Sequence, residues 1–192
     1  MDIQIADLVI KPLTPSSWAD FENLFGPKGA YGGCWCMWWR LPRKEFESGQ
    51  GESNRIAMKN IVHSGKIPGL IAYSDDRPCG WCSIARRDDF NSLERSRVLK
   101  RIDDKKVWSL VCFFINKSYR GKNLGLNLIL AAIEYVKSQG GEIIEAYPTV
   151  IKTKKAPPVS TFMGIPSVFK QAGFEEISRP SQSKLIMRYF IK

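Results

Sequence analysis

The nine residues Val107–Ile115, VWSLVCFFI, constrain this chain more than any other stretch. Ser109 is their only clearly polar member, and an apolar run of this length reads as a strand covered on both faces. A polar turn follows at Asn116–Asn123. Leu126, Ile129, Leu130, Ile133 and Val136 then recur at helical spacing, with Asn127, Glu134 and Ser138 opposite them. Gly140 and Gly141 end that helix, and Glu142–Tyr147 (EIIEAY) returns as a short strand. Strand, turn, helix and strand in this order require a parallel pair joined by a crossover.

The flanks predict antiparallel partners. Leu8–Leu13 reads as a first strand. Thr14 then caps a helix with Pro15 in its first turn and Trp18, Phe21, Leu24 and Phe25 on one face. A second helix is expected over Ser53–Ser64, with Ile56, Ile61 and Val62 among its buried residues. Ile67–Tyr73 and Cys79–Ala85 flank the turn SDDRP as a hairpin. Beyond a loop at 148–166, a short helix at Ser167–Ala172 precedes strands at Phe174–Ser178 and Leu185–Ile191. The expected fold class is a mixed α/β sheet, mostly antiparallel around one parallel pair, with flanking helices. Residues 1–192 read as a single domain.

Composition excludes several classes. Hydrophobic residues make up 44% and charged residues 25%, enough for a core that needs neither disulfide nor metal. No apolar run approaches the ~18 residues of a membrane span. The start, MDIQIADLVI, has no basic region ahead of an apolar core, so no signal peptide is expected. Five cysteines, an odd number mixed among core residues, read as reduced thiols of a cytoplasmic protein. The 29 Lys and Arg against 19 Asp and Glu leave a net charge of +10, which favours anionic partners. Local basic clusters lie at Arg95–Arg101 and Lys152–Lys155. No recognition motif for nucleic acid accompanies the charge, so nucleic acid is not the expected partner.

The turn YRGKNLGL carries chemistry. Gly121 and Gly125 remove side chains and Asn123 tolerates unusual backbone angles, so several amides can face one point at a helix N-terminus. Arg120 and Lys122 add full positive charges. The result is a cradle for a pyrophosphate, although neither the P-loop nor the dinucleotide glycine pattern is present. In its pattern and context this segment resembles the acetyl-CoA signature of the GNAT N-acetyltransferases, Arg/Gln-x-x-Gly/Ala-x-Gly/Ala. Arg120 matches the first position and Gly125 the last, and Asn123 stands where the family usually has glycine. The strand ending CFFI, the strand IIEAY and the later FKQAGF follow the family's order, so the resemblance covers about residues 66–178.

The resemblance implies acetyl-CoA as co-substrate and direct attack of an amine, on a small molecule or peptide, upon the thioester. It assigns Phe113, Phe114 and Ile115 to the pantetheine arm, lying where two parallel strands splay. It assigns Arg120, Gly121, Lys122, Asn123, Leu124, Gly125 and Leu126 to the pyrophosphate. It also points to a homodimer as the assembly to test. The chain departs from the family at its catalytic positions. Ser109 stands where some members carry a glutamate base, and Phe169 where many carry a tyrosine acid. Tyr147, at the end of its strand, is the substitute expected as acid, and Glu145, on the same face, as base or amine-orienting group. The missing groups also leave open a non-catalytic sensor of acyl-CoA.

GGCWCMWWR, residues 32–40, holds two cysteines and three of the six tryptophans. Trp35, Trp38 and Trp39 read either as core or as the wall of an acceptor pocket, and the family places acceptor contacts between its first two helices. Residues 26–52 are therefore the expected acceptor-side segment. Cys34 and Cys36 with Cys79 and Cys82 could make a zinc site, but residues three apart on a strand point to opposite faces. No metal is expected.

Overall fold

The computed structural model describes residues 2–151 and 158–192; the basic cluster Lys152–Lys155 lies outside them. The chain runs β1 (Ile3–Ile5), β2 (Leu8–Pro12), α1 (Trp18–Phe25), α2 (Arg43–Ser48), α3 (Glu52–His63), β3 (Leu70–Ser74), β4 (Arg77–Arg86) and α4 (Asn91–Glu94). It continues through β5 (Trp108–Ile115), α5 (Leu124–Ser138), β6 (Ile143–Ala146), α6 (Pro166–Gln171), β7 (Glu175–Ser181) and β8 (Lys184–Phe190). The strands form one eight-stranded sheet in the order β1-β2-β3-β4-β5-β6-β8-β7. Every pairing is antiparallel except β5 with β6, which α5 joins. This is the mixed α/β class expected from the sequence.

Alternation along the central strands sorts side chains to two faces. Leu70, Ala72, Cys82, Ile84 and Leu110 meet Leu128, Ile129, Ala132 and Val136 of α5 on one face. Ile71, Tyr73 and Trp81 meet α1, α3 and the 30–41 segment on the other. Trp81 is fully buried there, with Phe21 at 4.8 Å and Phe25 at 6.1 Å between ring centroids. Burying each such aromatic contributes about 1.5–3 kcal/mol, so this face is anchored by rings from α1 and β4.

Two details correct the sequence reading. Ile56 is 46% exposed, because α3 is phased by Met58 and Val62 together with Asn54. The Asn54 amide is buried by donating to the carbonyls of Gly33 (3.2 Å) and Phe46 (3.3 Å), a partnership that apolar periodicity cannot show. Cys79 and Cys82 do not point to opposite faces. The β3–β4 register passes from Tyr73↔Pro78 to Ala72↔Gly80, which leaves Cys79 as the extra residue of a bulge. Both thiols then join the cluster under α5. Among the described residues no group of three or more His, Cys, Asp or Glu converges as a metal site.

Candidate active site

The parallel ladder is short. Trp108, Ser109 and Leu110 pair with Ile144, Glu145 and Ala146, and β5 then runs on to Ile115 without β6 beside it. A gap in the sheet opens there. Against β4 the register passes from Ile84↔Leu110 to Ser83↔Cys112, so Val111 is a bulge residue at the mouth of the gap. Phe113, Phe114 and Ile115 are half-buried along its edge. The ring of Phe113 packs on Phe169 (6.0 Å) and that of Phe114 on Phe25 (5.2 Å). The amide of Phe113 donates to the Phe162 carbonyl at 2.6 Å, so the chain after the loop crosses the gap at this point. Phe169 is buried among Phe113, Phe174 and Gly164 and offers no hydroxyl to the gap.

At the far end of β5 the chain turns through Lys117–Tyr119 and enters α5 at Leu124. Gly121 has φ +77° and Asn123 φ +58°, the left-handed angles that turn amides toward one point. A Cβ added at Gly121 would meet nothing within 4 Å, and one at Gly125 only Ile115 Cδ1 at 3.8 Å. No internal packing therefore demands glycine at 125. The space it leaves open lies at the N-terminus of a 15-residue helix, where backbone amides favour an anion. Arg120 Nε donates to the Ile115 carbonyl at 3.1 Å, tying the turn to the strand end, and Lys122 stands 5.4 Å from the Tyr119 ring. Arg120, Gly121, Lys122 and Asn123 are exposed, while Leu124 is buried and Gly125 and Leu126 half-buried. The turn fits a pyrophosphate in charge, in amide supply and in open space.

Glu145 and Tyr147 lie inside a polar network that the sequence did not reveal. Glu145 is 1% exposed; its Oε1 accepts from Arg87 Nη1 (2.6 Å) and the Tyr147 hydroxyl (2.8 Å), and its Oε2 from Arg188 Nε (2.8 Å). Arg87 also donates to Tyr147 (2.8 Å), to Glu94 (2.6 Å) and to the Leu99 carbonyl (2.7 Å). Arg188 reaches Asp103 at 2.6 and 3.0 Å. Ser109 completes the network, 2.8 Å from the Tyr147 hydroxyl. Tyr147 is fully buried, and burial followed by the charge of Glu145 pushes its phenol well above the ordinary value. With the Tyr147 hydroxyl donating to Glu145, Ser109 donates to the phenol oxygen.

The three tryptophans of the 32–40 segment separate. Trp35 stacks on Phe25 at 5.7 Å and is almost entirely buried; a Cβ at Gly29 would lie 2.4 Å from its indole nitrogen. Its edge lines a groove with Glu22, Gly26, Gly51, Glu52 and Arg55. Trp38 is 40% exposed and meets Phe46 edge-on at 5.1 Å. Trp39 packs against the cluster that contains Val111, Tyr147 and Met163, at the mouth of the gap. Its carbonyl accepts from the amide of Ser92, which ties the segment to α4.

Comparison with known proteins agrees with this geometry. The model of the acetyltransferase (GNAT) family matches residues 35–156. No curated protein matches the chain. Among solved structures, an acetyltransferase of the GNAT family from Streptococcus agalactiae superposes with a TM-score of 0.58 at 10% identity, covering 99% of each chain. The PaiA N-acetyltransferase from Thermoplasma acidophilum, in complex with coenzyme A, gives 0.54 at 16% identity, covering 95% of this chain and 98% of that one. The ribosomal-protein-S5-alanine acetyltransferase from Vibrio fischeri gives 0.56 at 12% identity, covering 100% and 97%. At these identities the likeness is one of fold.

Proposed function

The chain belongs to the acetyltransferase (GNAT) family, and on that premise we propose that it moves the acetyl group of acetyl-CoA to an amine by direct attack. The observation that carries this reading is the open, doubly charged turn at the N-terminus of α5, set beside the stretch of β5 that runs on past its pairing with β6. Arg120–Leu126 would hold the pyrophosphate, and the stretch Phe113–Ile115 would line the pantetheine arm. The thioester supplies an activated acetyl group. The chain's part is to orient it, to admit the amine from the opposite face and to take the proton that the ammonium must lose.

Residues 26–52 form the acceptor side in this reading. Trp39 and Trp38 are its contact residues, because Trp39 packs at the mouth of the gap and Trp38 is exposed beside it. Trp35 supports them from the core. Tyr147 and Glu145 act by position: their hydrogen bonds are taken up within the network, and they fix the rung at which β5 and β6 part.

The test is release of free CoA thiol from acetyl-CoA with three amines: kanamycin, spermidine and a peptide with a free N-terminal alanine. Amine-dependent release supports transfer. A melting shift with acetyl-CoA but no release with any amine would instead support a sensor of acyl-CoA. No shift and no release would remove both readings.

A further inference from the structure

One turn of chain, residues 161–164, spans the gap beside β5. Its alternate carbonyls reach opposite lips. The Phe162 carbonyl accepts from the amide of Phe113 on β5 at 2.6 Å, and the Gly164 carbonyl accepts from the amide of Thr149, just past the end of β6, at 3.1 Å. The turn is closed on itself by the Gly164 amide, which donates to the Thr161 carbonyl at 2.8 Å. The strands that part after Leu110 and Ala146 are thus bridged again, by backbone from a third segment.

Packing seats this strap. Met163, between the bridging carbonyls, is fully buried in the cluster that holds Val111, Tyr147 and Ile186. Lys184 Nζ donates to Thr149 Oγ1 at 3.0 Å and to Met163 Sδ at 3.7 Å, so one cation touches both a lip and the strap. Gly164 has φ +81°, and an added Cβ would lie 2.7 Å from the Phe169 ring and 3.4 Å from that of Phe113. Both the angle and the close approach require glycine there.

We propose that residues 161–164 are a displaceable strap across the acyl-CoA channel, which holds the Phe113 amide until the pantetheine arm takes it over. The inference rests on the acetyl-transfer reading above, in which that arm lies along 113–115. Phe113 pairs with Cys82 of β4, and its N–H points the other way, into the gap. β6 ends at Ala146 and does not reach it. A backbone amide left without an acceptor among Phe113, Phe162 and Phe169 would be costly, and the Phe162 carbonyl meets that need. A pantetheine arm carries amide and thioester carbonyls, and one that runs along 113–115 meets the same N–H. That amide has a single hydrogen, so arm and strap compete for it. Exchange replaces one acceptor by another at little net cost. The Gly164–Thr149 bond joins half-buried groups, which can turn to water when it opens.

Such a strap has a thermodynamic signature. Acetyl-CoA binds only molecules whose strap is displaced, so the apparent Kd exceeds the intrinsic one by the inverse of that fraction. A loosened strap therefore gives tighter binding, the reverse of what loss of a ligand contact gives.

Chymotrypsin tests this on the wild-type protein. With saturating acetyl-CoA, cleavage after Phe162, followed by peptide mass spectrometry, should speed up roughly threefold or more. Slowed or unchanged cleavage while the melting temperature rises would overturn the proposal, because the strap would then stay in place beside bound ligand. Met163→Ala and Gly164→Ala loosen the strap by different routes. In either folded variant, without ligand, the Phe113 amide should exchange its hydrogen roughly tenfold faster than in wild type, read by NMR. Acetyl-CoA should bind that variant roughly threefold more tightly or better. Unchanged exchange at Phe113 in both variants, or faster exchange with equal or weaker binding, would also overturn the proposal. A melting shift with the variants but not with wild type would support a strap that closes tightly. No shift with wild type or either variant would defeat the acetyl-CoA reading itself, and the role of the strap with it.

Discussion

The hydroxyls of Ser109 and Tyr147 stand 2.8 Å apart, one on β5 and the other just past β6, beside the last rungs at which those strands are paired. The gap of the candidate site begins where this bridge ends. The strand separation is thus pinned by side chains as well as by the loss of backbone pairing.

Tyr147→Phe removes the bridge while keeping the ring. It leaves Ser109 and one donor of Arg87 short of a partner, so stability should fall by about 1–3 kcal/mol in urea unfolding. Turnover should fall less than tenfold, because the hydroxyl is taken up within the network. A loss of a hundredfold or more in a folded variant would make Tyr147 the proton donor.

Glu145→Ala strips the carboxylate that Arg87 and Arg188 share. Two buried guanidiniums then face each other with less compensation, and the cost should be about 3–5 kcal/mol. A loss below 1 kcal/mol would mean that the network contributes little to the fold.

Gly125 separates stability from ligand binding. An added Cβ meets only Ile115 Cδ1 at 3.8 Å, so Gly125→Ala should stabilise the ligand-free protein by about 0.5–1 kcal/mol through helix propensity. The melting shift from acetyl-CoA should shrink, and with Gly125→Val it should vanish. Equal shifts in wild type and both variants would place the pyrophosphate elsewhere.

The tryptophans should divide by burial. Trp35→Ala removes a buried indole stacked on Phe25 and should cost about 3–5 kcal/mol. Trp38→Ala should cost far less and raise the amine KM more than the acetyl-CoA KM. The reverse pattern would exchange their roles.

Acid should weaken one clamp of the network. Asp103 is held below the usual carboxylate range, first by the hydrogen bonds from Arg188. Its folded pKa is lower than its unfolded one, so its stabilisation is complete above about pH 3.9 and is lost as pH falls through the lower folded value. Because the Asp103 side chain is 34% exposed, solvent screens the pair and the effect is small, and Asp103→Asn should remove it. An identical acid limb in the variant would exclude this carboxyl.

The element that defines the fold was legible because its signals are local. Val107–Ile115, the amphipathic run from Leu126 and the strand EIIEAY each announce themselves by period. The turn at Gly121–Asn123 was readable for the same reason, since residue type reports backbone angle there. The polar network was not. Arg87 sits in the run RRDD, which reads as solvated charge, and its partner Glu145 lies 58 residues away. That Cys36 and Cys112 pack in one cluster was hidden twice, by left-handed backbone at Trp35 and Cys36 and by a bulge that turns Cys112 to that face. Bulges shift the alternation on which strand reading depends, and Cys79 was misplaced by one as well.

The span of that network has a kinetic consequence. Its bonds join residues 58, 43 and 85 positions apart, and together they need the end of β4, β6 and β8 already docked. Closing such loops costs entropy that only a nearly finished sheet repays. The arginine–glutamate centre should therefore lock after the folding transition state. Weakening it should speed unfolding while leaving the refolding rate almost unchanged. The same centre that pins the strands apart would then act as a latch on the folded state, governing how long the molecule lasts more than how quickly it forms.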